Sequence, residues 1–287
     1  MARGVPKAGF RAPRRSAADK LAAVKVSYAQ DRNETDAEIK ARLAERFEIL
    51  DIMTEACMCG NARSLVISGP AGVGKSFGVE RILADWDPNA INHTIVKGFV
   101  RPTGIYKLLY QYRNENQVIV FDDADSVFFD DISLNLLKAV CDTTEKRKVS
   151  WLSEGSMVDE ETAERIPRTF DFNGTIIFLT NLDMDAMIAR GHKLAPHLEA
   201  LVSRSHYLDL SMKTKRDYLV RIKQVINQGL LDNLTPTQRS EVVDFIDTNA
   251  DRLRELSLRM AIKIGSLRLS NGDNWAKIAR VTCLRNK

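Results

Sequence analysis

Short unbroken apolar runs alternate along the middle of the chain with longer stretches in which apolar residues recur every three or four positions. "SLVISG" (64–69), "HTIVKGFV" (93–100), "QVIVFDD" (117–123), "GTIIFLTN" (174–181) and "SHYLDL" (205–210) are brief and rich in β-branched and aromatic residues, so they read as strands. Ahead of them, "ETDAEIKARLAERFEILDIMTEACMC" sets Ile39, Leu43, Phe47, Leu50, Met53 and Met58 near helical spacing, with Gly60 as the stop. "FGVERILADW" (77–86) reads as another helix. Strands separated by helical stretches predict an α/β fold with a parallel, doubly wound sheet. After Met212 no strand pattern is visible, and 214–228, 236–248, 251–268 and 273–284 read as helices. The expected organisation is an α/β core over 33–212 and a small all-helical domain over 213–287. Residues 1–32, with Pro6, Pro13 and scattered arginines, read as a flexible basic arm.

Composition narrows the class. At 287 residues the chain is long enough for one large domain or a core with a satellite. No apolar run reaches the length of a membrane span, and the basic N-terminus lacks the apolar region of a secretory signal, so a cytoplasmic protein is expected. Cys57 and Cys59 are spaced C-x-C while Cys141 and Cys283 stand alone, which supports neither a zinc site nor a disulfide framework. The net charge of +4 hides a segregation: +6 over 1–32, −9 over 33–212 and +7 over 213–287. Basic ends are either solvated tails or the footprint of a nucleic-acid binder.

Two motifs carry chemistry. "GPAGVGKS" fits G-x-x-x-x-G-K-[ST] between an expected strand and an expected helix, the context that gives the motif its meaning. Its glycines let backbone N–H groups turn in around phosphates, Lys75 reaches the β/γ-phosphates, and Ser76 offers an oxygen to Mg2+. The candidate ATP-binding residues are Gly69, Pro70, Ala71, Gly72, Val73, Gly74, Lys75, Ser76 and Phe77. The second motif is "VIVFDDADSVFFDD" (118–131), an apolar strand running into Asp122, Asp123, Asp125, Asp130 and Asp131. An EF-hand counted from Asp122 would need Gly and Glu where Val127 and Ser133 stand. In a P-loop protein a second apolar strand is expected beside the first, ending in a carboxylate that holds magnesium. Asp122 fills that role, and Asp123 is the candidate to polarise the attacking water. Asp125, Asp130 and Asp131 are expected to cap and solvate the helix that follows.

Together, "GPAGVGKS", "VIVFDD", "IIFLTN" and the trailing helices resemble the AAA+ ATPases, over roughly 35–285. The resemblance implies that Asn181, at the tip of the "IIFLTN" strand, is a sensor placing the lytic water. It implies a ring in which Arg204, in Ser203-Arg204-Ser205, enters a neighbour's ATP site as a clamp-loader-like finger. It also implies a second sensor within the subunit, best matched by Arg259 in "ELSLRMAIKI", with Arg252 and Arg254 expected on the same helix. Asp122-Asp123 departs from the family's Asp-Glu, which puts the speed of hydrolysis in question.

The stretch 148–174 exceeds a minimal connection and holds five acidic residues from Glu154 to Glu164, as a hairpin insertion or a surface loop. "KGFVRPTGIYK" sets Phe99 beside Lys97 and Arg101, suited to stacking on bases and contacting phosphates. The reading is an ATP-driven ring that loads, moves or remodels DNA, RNA or a nucleoprotein. The alternatives are a superfamily-3-like helicase, which "FDFNGTIIFLTN" also resembles, a protein-directed chaperone or unfoldase, and a nucleotide-gated binding module.

Overall fold

The computed structural model describes residues 34–152, 157–159 and 163–286. The basic arm expected over 1–32, and Glu154, Glu160 and Glu161 of the insertion, lie outside the described residues. Helix α1 (Asp36–Met58) starts on a capping box between Thr35 and Glu38, and Gly60 follows its end at a φ of 70°. Then come β1 (Ser64–Ser68), α2 (Lys75–Trp86), β2 (His93–Lys97), α3 (Pro102–Gln111), β3 (Val118–Asp122) and α4 (Asp131–Val140). Four short strands follow: β4 (Lys148–Ser150), β5 (Met157–Val158), β6 (Arg165–Ile166) and β7 (Thr169–Asp171). The core closes with β8 (Thr175–Thr180), α5 (Met184–Ala189), α6 (Ala195–Val202) and β9 (His206–Asp209). The C-terminal region holds α7 (Lys215–Val225), α8 (Pro236–Thr248), α9 (Leu258–Ser270) and α10 (Trp275–Cys283).

The five core strands form one parallel sheet in the order β2-β3-β8-β1-β9, the doubly wound P-loop NTPase core expected from the pattern. The apolar runs are continuous because both faces are covered. In β3, Ile119 and Phe121 enter one core while Val118 and Val120 enter the other. In β8, Ile176 and Phe178 divide from Ile177 and Leu179 in the same way. The rings of Phe121 and Phe178 stack at 5.6 Å, and each buried Phe contributes about 1.5–3 kcal/mol by leaving water. The C-terminal helices gather around a separate cluster that includes Val242, Phe245, Ile264 and Trp275.

Several expectations are corrected. β3 does not lie beside β1, because β8 pairs with both and stands between them. β2 ends at Lys97 rather than 100, where Gly98 takes a φ of 89° and Pro102 opens α3. The last helices begin later than their pattern suggests: Ser257 caps α9, and 251–257 form a turn with a bridge from Leu253 to Leu284. Arg252 and Arg254 therefore do not share a helix with Arg259.

The insertion 148–174 contributes two antiparallel pairs, β4 with β7 and β5 with β6. Val149, Ile166, Phe170 and Phe172 are buried in the main core, so the base of this hairpin is packed structure.

Candidate nucleotide site

All five parallel strands end on one side, and the candidate chemistry gathers there. The loop from β1 to α2 turns on glycines that no other residue would replace without strain: Gly72 has a φ of 73° and Gly74 a φ of 106°. Gly74 is also the N-cap of α2 and offers no capping side chain, which leaves the first-turn N–H groups facing the loop.

Lys75 is 5% exposed. Its Nζ donates to Gly69 O at 2.6 Å, Pro70 O at 2.9 Å and Asn181 Oδ1 at 2.9 Å. Burial pulls its pKa down to about 8, against the pull of Asp123, Asp122 and Asp125, while Arg259 adds to the depression. Ser76 Oγ, in the first turn of α2, donates to Asp122 Oδ1 at the end of β3 at 2.8 Å although β8 stands between β1 and β3, since parallel strands in register deliver their ends to the same level. A hydroxyl and a carboxylate are the hard oxygen donors that magnesium takes, usually one or two from protein and the rest from phosphate and water. Asp122 is also 3.3 Å from Lys97 Nζ, and Lys97 pairs with Glu80 at 2.6 Å. Lys97, expected beside Phe99 as a cation for a polymer, is instead paired with Asp122 and Glu80.

Asp123 and Asn181 are in contact, Asn181 Nδ2 donating to Asp123 Oδ1 at 2.7 Å. The amide thus bridges Lys75 and Asp123, and this sets its orientation: oxygen to the ammonium, nitrogen to the carboxylate. Asp123 has a φ of 51°, a left-handed turn that Asp tolerates better than most residues, and its N–H still bonds Leu179 O at 3.1 Å. The aspartate cluster divides. Asp130 caps α4, accepting from Ser133 N at 2.7 Å, and Asp131 stands in its first turn. Asp125 does not act as a cap: its carboxylate accepts from Thr180 Oγ1 at 2.6 Å, and burial raises its pKa.

A cleft of about 820 Å³ runs from this loop between α1 and the C-terminal helices, and its walls include Phe77, Asp123, Asn181 and Arg259. Phe77 is 72% exposed. The start of α9 docks on the loop, with Leu258 N donating to Gly72 O at 2.8 Å. A Cβ on Gly72 would lie 2.8 Å from Ser257 Cβ and 3.6 Å from Arg259 Cγ. Arg204 is not brought to this cleft. Its Nη1 donates to Ala200 O at 2.7 Å, and its carbonyl accepts from Ser64 Oγ at the far end of β1.

Sequence reasoning missed Arg221 and Phe47. Arg221, on α7, lines the cleft with its guanidinium carbon 3.4 Å from the centre of the Phe47 ring. A contact of this kind contributes about 0.5–2 kcal/mol. The signal was present in the spacing: Asp217, Arg221 and Gln224 fall on one stripe of α7, and that stripe is buried. Asp217 uses it to pair with Arg42 of α1 at 3.1 Å.

No family model matches the chain. Among solved structures it is similar to NtrX from Brucella abortus in complex with ATP, at 16% identity and a TM-score of 0.42, over 90% of this chain and 55% of that one. It is also similar to the Thermotoga maritima RuvB Holliday junction branch migration motor, at 16% identity and a TM-score of 0.44, over 88% of this chain and 70% of that one. Likenesses this distant say nothing about activity. In sequence the chain is 40% identical over 250 residues to an uncharacterized 36.7 kDa protein from the nrdC-mobD intergenic region of Enterobacteria phage T4, covering 84% of this chain and 74% of that protein. At that identity and coverage, this chain belongs to the family of the phage T4 36.7 kDa protein.

Proposed function

We propose that the chain is a magnesium-dependent AAA+ ATPase that works as a ring on nucleic acid or nucleoprotein. The observation that carries the ATPase reading is the line Lys75–Asn181–Asp123 beside the Ser76–Asp122 pair, all at the mouth of one glycine loop. In this reading Lys75 exchanges its carbonyl partners for phosphate oxygens, and the N–H groups of the loop and of α2 hold the phosphate chain. Magnesium, held by Ser76 and Asp122, supplies charge that stabilises the transferring phosphoryl oxygens. Asp123 accepts a hydrogen bond from the attacking water, Asn181 orients that water, and Arg259 meets the phosphates from α9. Arg204 lies too far from its own cleft to serve it, which supports a role in a neighbour's site. The core of 33–212 and the helices of 213–287 then act as motor and lid.

Support for a nucleic-acid substrate comes from the loop after β2, where Phe99 is 76% exposed and Arg101 is exposed beside it. An exposed aromatic ring next to a cation suits a stacked base. The decisive measurement is ATP turnover alone and with single-stranded DNA, RNA or an unfolded protein. Stimulation by nucleic acid is expected. Stimulation by unfolded protein alone would move the assignment to an unfoldase, and ATP-dependent assembly without turnover would leave a nucleotide-gated module.

A further inference from the structure

Arg221 is a buried cation whose partners do not account for its burial. It is 8% exposed, and no carboxylate among the described residues lies within ion-pair distance of it. Its hydrogen bonds are long, 3.5 Å from Nε to Val73 O and 3.3 Å from Nη1 to Gln224 Oε1. Burial draws its pKa down to about 10, opposed only by the more distant charge of Asp51. At neutral pH the group is charged, removed from water, and supported chiefly by the face of Phe47. A buried cation of this kind costs stability until an anion completes it.

Geometry says where the anion would lie. Nη2 is 3.6 Å from the position a Cβ on Gly74 would take, so the fork borders the glycine loop at the start of α2. Arg259 borders the loop at Gly72 instead, near enough to Lys75 to depress it.

We propose that Arg221 is a phosphate ligand acting within its own subunit, taking an oxygen of the phosphates that nucleoside di- and triphosphates share. This rests on the nucleotide reading of the cleft and adds a second lid arginine with a different task. Arg259 answers the terminal phosphate, whereas Arg221 answers charge that survives hydrolysis. Because Arg221 is on α7 and already stacks on Phe47 of α1, the bound phosphate ties this pair to the glycine loop beside Gly74, and the tie persists with ADP. Guanidinium suits the site, since a planar fork stacks on an aromatic face and still donates in its own plane.

The test uses the full chain and its Arg221→Met, Arg221→Lys and Arg259→Met variants. Each is titrated with a fluorescent ADP and a fluorescent non-hydrolysable ATP analogue, and melted with and without ADP. Arg221→Met should lose about tenfold or more in affinity for both nucleotides, and Arg221→Lys should recover part of it. Arg259→Met should lose more for the triphosphate than for ADP. Without nucleotide, Arg221→Met should melt at or above the wild-type temperature, because a desolvated charge has been replaced by an apolar chain of similar length. Unchanged ADP affinity in Arg221→Met would overturn the inference while leaving the nucleotide site intact. A fall of several degrees in its nucleotide-free melting would assign the arginine to the fold and overturn it too. A wild type that binds no ADP would remove the nucleotide reading itself.

Discussion

Lys75 is the residue at which burial and ligand chemistry oppose each other most directly. Its pKa of about 8 in the folded chain lies below the ordinary 10.5. Its contribution to stability is therefore complete above 10.5 and is lost as the pH falls to about 8, a difference of roughly 3 kcal/mol. The nucleotide-free protein should gain stability as the pH rises through that window, and Lys75→Met should not show that gain. Nucleotide affinity should move the opposite way, weakening above about pH 8 because the phosphates require the ammonium. Melting temperatures with and without ADP across pH 7 to 10 would check both slopes, and an ADP shift independent of pH would place the phosphates elsewhere. Lys75→Ala should abolish ATP binding. Asp123→Asn should keep binding and lower hydrolysis about a hundredfold or more, since it removes the negative charge proposed to activate water and keeps the shape that Asn181 bonds. Phosphate release alongside nucleotide titration separates the two effects. The residue types of this site were legible in the order of the chain. The division of labour among the aspartates was not, because Asp125 is set apart from Asp130 only by the Thr180 hydroxyl that β8 brings to it.

At the scale of elements, the loop and the start of α9 behave as one joint. Gly72→Ala would place a Cβ 2.8 Å from Ser257 Cβ at a φ of 73°, so it must displace α9 or distort the loop. The expected cost is about 1–3 kcal/mol, read as weaker ATP binding together with faster proteolysis between β9 and α7. Ser257→Ala removes the cap on Met260 N and should cost about 1 kcal/mol of stability with much less effect on affinity. Equal effects of the two changes on binding would mean that the joint is simply a helix cap. The strands were legible because their side chains alternate between two cores, leaving unbroken apolar runs that few other structures produce. The limits of β2 and α9 are not written in the apolar pattern, because Gly98 and Ser257 act through backbone angle and capping, which outweigh that pattern.

At the scale of the whole molecule, the proposed assembly and the proposed chemistry meet at Arg204. If it serves a neighbour, Arg204→Ala should leave nucleotide affinity nearly unchanged and reduce turnover by several orders of magnitude. Mixing Arg204→Ala with Lys75→Ala subunits should then restore part of the activity, since some junctions pair an intact pocket with an intact finger. Assemblies verified as mixed but still inactive would assign Arg204 to its own subunit. The sequence by itself determined the kinds of element, their order, the glycine loop and the carboxylate strand, because each is written in neighbours along the chain and in the periods of helix and strand. Only the tertiary structure decided that β8 stands between β1 and β3, that Lys97 answers Asp122, that Arg204 lies away from its own cleft, and that Arg221 is buried over Phe47. These are pairings between residues distant in the chain, chosen by strand register and by which faces must leave water, and no local pattern records them.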